Sequence, residues 1–228
     1  MHPKLQFIAI IPARKGSKSV REKNLQIINP RNRHNLLERA VRIAQDSGLF
    51  KEIIVTTDYR RGLVPKGCSV IDRPKELCTD EAKMVDVTSH TLSKIKTGYD
   101  FFFLLQPSSP FRDLNDLYAI ADLLEHKIKL SSGEMEYPKS VISVADVKEV
   151  HPNRMYTEKN GLLYPLRHTN FENKQDLKPC FIRSGTYYVC SLEEFRKQKS
   201  FYLRPCVPYR VGEVSALNID SYEALYKA

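Results

Sequence analysis

Cationic and hydroxyl side chains crowd into one short segment that directly follows an apolar, β-branched run. The run is Leu5 to Pro12, and the segment after it contains Arg14, Lys15, Ser17, Lys18, Arg21 and Lys23. Free backbone N–H groups, a hydroxyl and several cations at a strand end suit a polyphosphate. The GxxxxGK[ST] spacing is absent, so the segment is not a P-loop, and the absence of GxGxxG disfavours a dinucleotide site. A solvated basic loop is the alternative, and the position at a strand end weakens it.

A second polar loop and an isolated arginine offer further ligand groups. The segment Gln106 to Arg112 reads QPSSPFR, in which two prolines fix the path of the chain while Gln, Ser and Arg supply hydrogen-bonding groups. A purely structural turn rich in Ser and Pro explains the same composition. Arg73 stands in the sequence IDRP and is followed by Glu76 and Asp80. It suits a ligand group or a structural ion pair equally well.

Two oxygen-bearing side chains near the end of the chain form a weak signal for a cation site. Asn218 and Asp220 flank Ile219 on a predicted late strand, Glu213 to Asp220, where positions i and i+2 point to the same face. Such a pair can meet a hard cation, although it more often serves in caps and turns. The cysteines are odd in number, form no CxxC, and are accompanied by no GxSxG elbow. This argues against a disulfide framework, structural zinc and serine-based acyl transfer.

Length and composition predict a single domain, residues 1–228, with room for an insertion. Of the 228 residues, 42% are hydrophobic and 28% are charged, which is enough apolar sequence for a core. No apolar run reaches the roughly 20 residues of a membrane span, and the start does not resemble a signal peptide, so we expect a cytoplasmic protein without membrane contact. The net charge of +9 favours an anionic partner without choosing one, and a solvated basic surface is the first explanation of charge alone.

Strand and helix patterns alternate along the first two thirds of the chain. We predict strands at Leu5–Pro12, Glu52–Thr57, Cys68–Ile71, Phe101–Leu105 and Ser140–Val147, and helices at Asn35–Ser47, Asp80–Lys96 (with Asp80 as N-cap) and Asp113–Lys127. The strands are apolar on both faces, which predicts an α/β fold with a Rossmann-like, mostly parallel sheet flanked by helices. Ligands bind such sheets at the carboxyl ends of the strands, where the basic segment, Asp58 and the QPSSPFR loop all fall.

The pattern changes after Val147. Residues 148–179 are polar with two short apolar patches, and Asn160–Gly161 between the patches is a hairpin turn signal. We interpret residues 148–179 as an inserted β-hairpin arm. The remaining predicted elements are a returning strand and a short helix, then the late strand and a helical end: Phe181–Cys190, Leu192–Lys199, Glu213–Asp220 and Ser221–Lys227.

Ordered motifs along nearly the whole chain resemble one enzyme family. They are IIPARKGSK (Ile10–Lys18) with Lys23–Leu25, Arg73–Leu77 with Asp80, LLQPSSPFR (Leu104–Arg112), PLRH (Pro165–His168) and NID (Asn218–Asp220). Together they resemble the acylneuraminate cytidylyltransferases, the CMP-sialic acid synthetase family. The resemblance extends from about Phe7 to Tyr226. It implies a Rossmann-type α/β sheet with an extended dimerisation arm.

The resemblance also implies a reaction and the residues that serve it. CTP and an acidic nine-carbon (nonulosonic) sugar give a CMP-sugar and pyrophosphate, with Mg²⁺ as cofactor. The implied CTP-binding residues are Arg14, Ser17, Lys18, Lys23 and Asn24 at the phosphates and ribose, with Arg73 and Ala82 at the cytosine. The implied sugar-binding residues are Gln106, Ser108, Arg167 and Ser184. Asp220, with Asn218, is implied as the metal site, and Arg14, Lys18 and Asp220 as the catalytic residues.

Three departures from the family pattern bear on the substrate. Asn218 stands where the family commonly has an aspartate, which removes one anionic metal ligand. Arg183–Ser184–Gly185 replaces the usual Asn-Gly, which puts sugar contacts there in question. Ser19 replaces a common glycine, and residues 31–36 replace the usual Gly-Lys-Pro-Leu turn. The sugar therefore stays open among N-acetylneuraminate, legionaminate, pseudaminate and other ulosonates.

Several alternatives remain open from the sequence. One is a nucleotidyltransferase for an eight-carbon ulosonate or another sugar, and a second is a CTP-binding homologue whose catalysis is impaired by Asn218. A nucleic-acid-binding module rests only on the net charge and has no recognised motif, so we expect no nucleic acid partner. The expected partner is a second copy of the chain. In the family the arm reaches the partner's site, which would place Arg167 or His168 there.

Overall fold

A seven-stranded sheet organises the molecule. A computed structural model describes residues 5–28, 33–96, 98–147, 151–167 and 177–227. The strands are β1 (Phe7–Ala13), β2 (Phe50–Thr57), β3 (Ser69–Asp72), β4 (Phe101–Leu104), β5 (Ile128–Lys129), β6 (Met135–Glu136), β7 (Ser140–Asp146), β8 (Tyr156–Lys159), β9 (Leu162–Pro165), β10 (Phe181–Ser191) and β11 (Cys206–Arg210). The α-helices are α1 (Leu36–Ser47), α2 (Met84–Ser93), α3 (Leu114–Glu125), α4 (Leu192–Gln198) and α5 (Tyr222–Lys227). The large sheet has the order β11-β7-β10-β4-β1-β2-β3, while β5 pairs with β6 and β8 with β9.

Apolar sequence places β1 and β4 at the centre of the sheet. Every residue of β1 (FIAIIPA) and of β4 (FFFL) is buried. Strand β1 pairs in parallel with β2 and β4, whereas β10 runs antiparallel between β4 and β7. Alternate side chains of β1 enter two separate cores, one with α1 and α3 and the other with α2 and α4. The expected α/β fold with a mostly parallel sheet between helices is confirmed.

The helices begin close to where the sequence predicts, with one informative exception. Helix α1 has a capping box between Asn35 and Glu38 and ends at Gly48, whose φ is 62°. Helix α2 begins at Met84 after Lys83, so the predicted start at Asp80 is wrong. The carboxylate of Asp80 instead contacts cations of the first loop, as described below. Within the described residues, no helix is both long and apolar enough to cross a membrane.

The predicted hairpin is present. Strands β8 and β9 pair antiparallel around Asn160 and Gly161, whose φ values of 55° and 78° are those of a tight hairpin turn. Every residue of both strands is exposed. Residues 148–150 and 168–176 of the predicted arm, His168 among them, lie outside the described residues.

The predicted late strand is wrong. Residues 213–216 form a turn and 217–220 have no regular structure, whereas the edge strand is β11, which the sequence analysis missed. Within the described residues, β11 pairs with β7 alone, and Pro208 is tolerated there because an edge strand leaves one side unpaired. The sequence contained a signal for β11, because the apolar residues Val207 and Tyr209 alternate with their neighbours and both pack against the core.

Candidate active site

A small basic cavity opens where β1 ends. It has a volume of about 220 Å³ and is lined by Arg14, Gly16, Ser17, Lys18, Ser19, Lys23, Asn24 and Asp80. The structure therefore brings together all five residues predicted to hold phosphates and ribose. A larger cavity, of about 630 Å³, includes Leu5 and Phe101 and contains none of the predicted site residues. Leu5 precedes β1 and Phe101 begins β4, so this cavity lies at the amino ends of these strands, whereas the basic cavity lies where β1 ends.

Carboxylates neutralise the cations of this cavity. The guanidinium of Arg14 bonds to one oxygen of Asp80, and the ammonium of Lys18 lies 3.0 Å from the other. Hydrogen bonds from Arg14 and Lys18 lower the pKa of Asp80, and the bond to Asp80 raises the pKa of Lys18. The Nζ of Lys23 lies 3.0 Å from Oδ1 of Asp220. Each cation therefore faces an oxygen anion, as it would in a complex with phosphate.

Hydrogen bonds from neighbouring elements fix the path of the first loop. The Nδ2 of the buried Asn24 donates to the carbonyl of Arg14 at 2.8 Å. The backbone N–H of Lys15 donates to Asp58 at 2.6 Å, which gives the expected strand-end aspartate a positioning role. The N–H of Arg21 donates to the hydroxyl of Tyr222 at 3.1 Å. Sequence reasoning missed Tyr222, which lies far along the chain and belongs to no motif.

Arg73 lies beside the ends of β2 and β3 and is only 7% exposed. Its Nη2 donates to the carbonyl of Thr56 at 2.9 Å, while its Nε is buried without a hydrogen-bond partner among the described residues. Burial lowers the pKa of this guanidinium. Ala82 is half-buried on the segment that leads into α2. The predicted contact of these two residues with cytosine stays a prediction.

The QPSSPFR loop is braced by its own arginine. Arg112 donates from three nitrogens to the carbonyls of Thr186, Ser109 and Gln106, at 3.0, 2.6 and 2.8 Å. Burial lowers the pKa of Arg112 to about 10, so the side chain stays charged at neutral pH. Arg112, a candidate ligand group in the sequence, therefore serves the structure.

Residues predicted to meet the sugar fall into different environments. Gln106 and Ser108 are half-buried at the carboxyl end of β4, and Arg167 is exposed beyond β9. Ser184 is only 5% exposed, and its hydroxyl donates to that of Ser143 at 2.7 Å. This placement argues against the predicted contact between the Ser184 side chain and a sugar.

The two residues of the predicted metal pair have different contacts. Asn218 lies in irregular structure, where its Oδ1 accepts from the hydroxyl of Ser109 at 2.6 Å and its Nδ2 donates to the carbonyl of Ser184 at 2.5 Å. The side chain of Asp220 is 71% exposed and contacts Lys23. The strand that was expected to direct both side chains to one face is therefore absent, and their shared contact with a cation stays a prediction.

A magnesium ion fits this arrangement only with the help of a substrate. Among the described residues, no three His, Cys, Asp or Glu side chains converge as a metal site. Mg²⁺ is commonly held by one or two carboxylates together with substrate phosphates and waters. Asp220, exposed beside Lys23 of the basic cavity, supplies the one carboxylate that this pattern requires at a minimum.

The large sheet and the basic cavity at the end of β1 define an α/β protein with a candidate ligand site at the carboxyl ends of its parallel strands. A profile of the cytidylyltransferase family matches residues 8–204, and the chain belongs to that family. It is 29% identical over 222 residues to the N-acylneuraminate cytidylyltransferase of Streptococcus agalactiae serotype V, covering 94% of this chain and 50% of the relative. It is 27% identical over 227 residues to the CMP-N,N'-diacetyllegionaminic acid synthase of Legionella pneumophila, covering 95% and 92%. The chain thus spans about half the length of the N-acylneuraminate relative.

Solved structures share the fold. A CMP:2-keto-3-deoxy-manno-octonic acid synthetase complexed with CTP superposes with a TM-score of 0.64 at 14% identity, covering 97% of this chain and 96% of the other. At this identity the likeness concerns the fold alone.

Proposed function

We propose that this chain transfers CMP from CTP to the anomeric oxygen of a nonulosonic sugar and releases pyrophosphate. The observation that carries the proposal is the convergence of Arg14, Lys18 and Lys23 on one cavity at the end of the central strand. Membership of the cytidylyltransferase family supports CTP as the nucleotide. The relatives named for N-acylneuraminate and diacetyllegionaminic acid support an acidic nine-carbon sugar.

The proposed chemistry is an in-line displacement at the α-phosphorus. The anomeric hydroxyl oxygen forms a bond to phosphorus and its proton passes to solvent, while the bond to the oxygen bridging the α- and β-phosphates breaks and pyrophosphate leaves with that electron pair. Arg14, Lys18 and Lys23 stabilise the charge on the phosphates, with Ser17 as a further hydrogen-bond donor. To do so, these cations exchange Asp80 and Asp220 for phosphate oxygens. The protein contributes positioning and charge neutralisation rather than a covalent intermediate.

The other residues complete the two binding subsites. Asn24 lies where it holds the loop against the ribose and phosphates, and Arg73 and Ala82 border the cytosine. Gln106, Ser108 and Arg167 face the sugar, with Arg167 suited to its carboxylate. Asp220 would hold Mg²⁺, which when bound neutralises phosphate charge and activates the nucleophile.

A panel of sugars tests the proposal. Purified protein, CTP and Mg²⁺ are mixed with N-acetylneuraminate, legionaminate, pseudaminate and an eight-carbon ulosonate, and pyrophosphate release is followed. We expect release with at least one nine-carbon acid and none when ATP replaces CTP. Release with the eight-carbon acid alone would redirect the proposal to that substrate class. If no sugar gives pyrophosphate release while a known synthetase works in parallel, the proposal is refuted. CTP binding measured by calorimetry would then indicate a homologue that binds the nucleotide without catalysis.

A second copy of the chain is the proposed partner. The hairpin exposes apolar side chains, with Leu162 60% and Leu163 70% accessible, and pairing of two copies would cover them. We expect a dimer by light scattering. Leu163→Lys should then shift the mass towards the monomer, whereas Leu63→Lys, which changes an equally apolar residue 49% exposed outside the hairpin, should not. A strict monomer for the unmodified chain would contradict the pairing.

A further inference from the structure

We propose that Asn218 is a positioning residue that clamps the carboxyl-terminal segment onto the sheet and so places Asp220 and Ser108, and that it is not a metal ligand. The inference rests on the proposed function for its catalytic meaning. The structural part, that Asn218 joins the carboxyl-terminal segment to the sheet, rests on the contacts alone.

Both ends of the Asn218 amide are already engaged with two other segments. The hydroxyl of Ser109, which is fully buried, donates to Oδ1 at 2.6 Å. The Nδ2 donates to the carbonyl of Ser184 at 2.5 Å. One side chain thus joins the QPSSPFR loop, strand β10 and the segment that ends in Asp220. An amide is the suitable group because it carries an acceptor and a donor side by side.

The next residue extends the clamp through the backbone. The N–H of Ile219 donates to the carbonyl of Ser108 at 2.7 Å, and the Ile219 side chain is 1% exposed. The hydrogen bond holds the backbone of Ser108, and the buried Ile219 side chain anchors the residue that directly precedes Asp220. Because Asp220 is itself exposed, the contacts of its two preceding residues determine where its carboxylate stands relative to Lys23.

Strand β10 is shaped to receive this side chain. Its register with β7 shifts between Arg183 and Tyr188, and Gly185 within the shift has a φ of 80°. A Cβ on Gly185 would lie 3.2 Å from Nδ2 of Asn218. The strand therefore leaves room for the Asn218 amide by means of a glycine.

An aspartate at this position would meet a different environment from a metal site. A carboxylate cannot donate a hydrogen bond, so one of its oxygens would face the carbonyl of Ser184 where the amide now donates. Oxygen facing oxygen at that separation is repulsive, and the clamp would open on that side. If Asn218 were a metal ligand, Asn218→Asp would instead improve the site, because a second carboxylate would tighten Mg²⁺ binding.

Hydrogen exchange measured by mass spectrometry tests the clamp without any substrate. We compare Asn218→Asp, Asn218→Ala and Ser109→Ala with Asn115→Asp, which makes the same chemical change at an exposed position on α3. The clamp predicts exchange at least roughly tenfold faster in residues 215–222 and 106–112 together for the first three variants. The double change Ser109→Ala with Asn218→Ala should be no faster than Asn218→Ala alone. Unchanged or additive exchange would overturn the clamp.

Steady-state kinetics then test what the clamp does. Asn218→Asp should lower kcat roughly tenfold or more while KM for CTP stays within about a factor of two, because Asn218 touches no part of the nucleotide in this proposal. Asn115→Asp should behave as the unmodified protein. A higher kcat for Asn218→Asp, at a lower half-saturating Mg²⁺ concentration, would overturn the proposal in favour of a metal ligand. If the unmodified protein turns over no sugar, the proposed function fails, and the exchange experiment alone decides the clamp.

Discussion

The ammonium of Lys23 and the carboxylate of Asp220 lie 3.0 Å apart, although 197 positions separate them in the sequence. This pair joins the loop that follows the first strand to the last segment before α5. The hydrogen bond from Arg21 to Tyr222 repeats the connection one step further along. The cation proposed to bind phosphate and the carboxylate proposed to bind the metal therefore lie side by side before any substrate binds.

Asp220→Asn should separate catalysis from stability. We expect turnover with CTP and Mg²⁺ to fall about 100-fold or more, because the proposed metal loses its one carboxylate. The free energy of unfolding should change by less than about 1 kcal/mol, because the pair with Lys23 is largely exposed on the Asp220 side. Pyrophosphate release and urea unfolding measure the two effects.

Glu223→Gln is the matched control for that change. Glu223 forms an exposed pair with Lys227 at 2.5 Å, three residues after Asp220. Glu223→Gln should leave both the turnover and the free energy of unfolding close to those of the unmodified protein. Equal losses in the two variants would mean that the neighbourhood, rather than the Asp220 carboxylate, limits the rate.

Asp80→Asn should strengthen nucleotide binding. The Asp80 carboxylate holds both Arg14 and Lys18, so a triphosphate must displace it and then lie near its negative charge. Removing that charge should lower the Kd for CTP about two- to fivefold at low salt, with less effect at high salt. Isothermal calorimetry at low and high salt measures this Kd. Asp72→Asn, which breaks the exposed pair with Arg61, is the control; weaker binding by Asp80→Asn would mean that Asp80 orients Arg14 for the ligand.

Local pattern was enough to predict six of the seven strands of the large sheet, without β11, and the loop that carries the cations. The runs at β1 and β4 are apolar throughout, so their burial and central position follow from composition. The capping residues Asn35 and Gly48 mark α1 through contacts with near neighbours, which a sequence displays directly. The gathering of Arg14, Lys18 and Lys23 follows because all three belong to one loop at a strand end.

The failures share a physical cause, which is contact between distant segments. Asp80 has the residue type of an N-cap, but two cations from the first loop compete for its carboxylate. Asn218 and Asp220 are spaced as a strand pair, but the segment has no regular structure, and Ser109 and Ser184 bind the Asn218 amide. Ser184 is buried within a stretch of β10 where the register shifts, next to Gly185 with its positive φ. No local signal in the sequence contains these partners.

Arg112→Lys should destabilise the fold rather than weaken ligand binding. One ammonium cannot reach the carbonyls of Thr186, Ser109 and Gln106 together, so at least one buried carbonyl is left without its donor. We expect a loss of about 2–4 kcal/mol in urea unfolding, with KM for CTP within about twofold at temperatures where the variant is folded. Arg61→Lys, at an exposed pair, is the control. A raised KM with unchanged stability would return Arg112 to the ligand-binding residues.

Asp116 should make stability fall as pH rises from about 4. Burial raises the pKa of Asp116, although the hydroxyls of Tyr209 and Tyr187 donate to its two oxygens at 2.8 and 3.3 Å. The folded state therefore binds the proton more tightly than the unfolded state. This tighter binding adds to the free energy of unfolding at low pH, and that contribution is lost as pH rises from the unfolded to the folded pKa. Asp116→Asn should flatten the decline of Tm over that range, while Asp46→Asn, an exposed change on α1, should keep it. An identical slope in Asp116→Asn would contradict the assignment.

Gly185→Ala should disturb both the fold and the proposed clamp. Its φ of 80° is unfavourable for alanine, and the added methyl group would lie 3.2 Å from Nδ2 of Asn218. Gly133→Ala is the control for strain alone, because Gly133 has a φ of 92° with open space where the methyl group would go. We expect a loss of about 1 kcal/mol for Gly133→Ala and a larger one for Gly185→Ala in urea unfolding. Adding Asn218→Ala should relieve part of the Gly185→Ala loss, since the crowded amide is gone; strictly additive losses would show that the two residues do not press on each other.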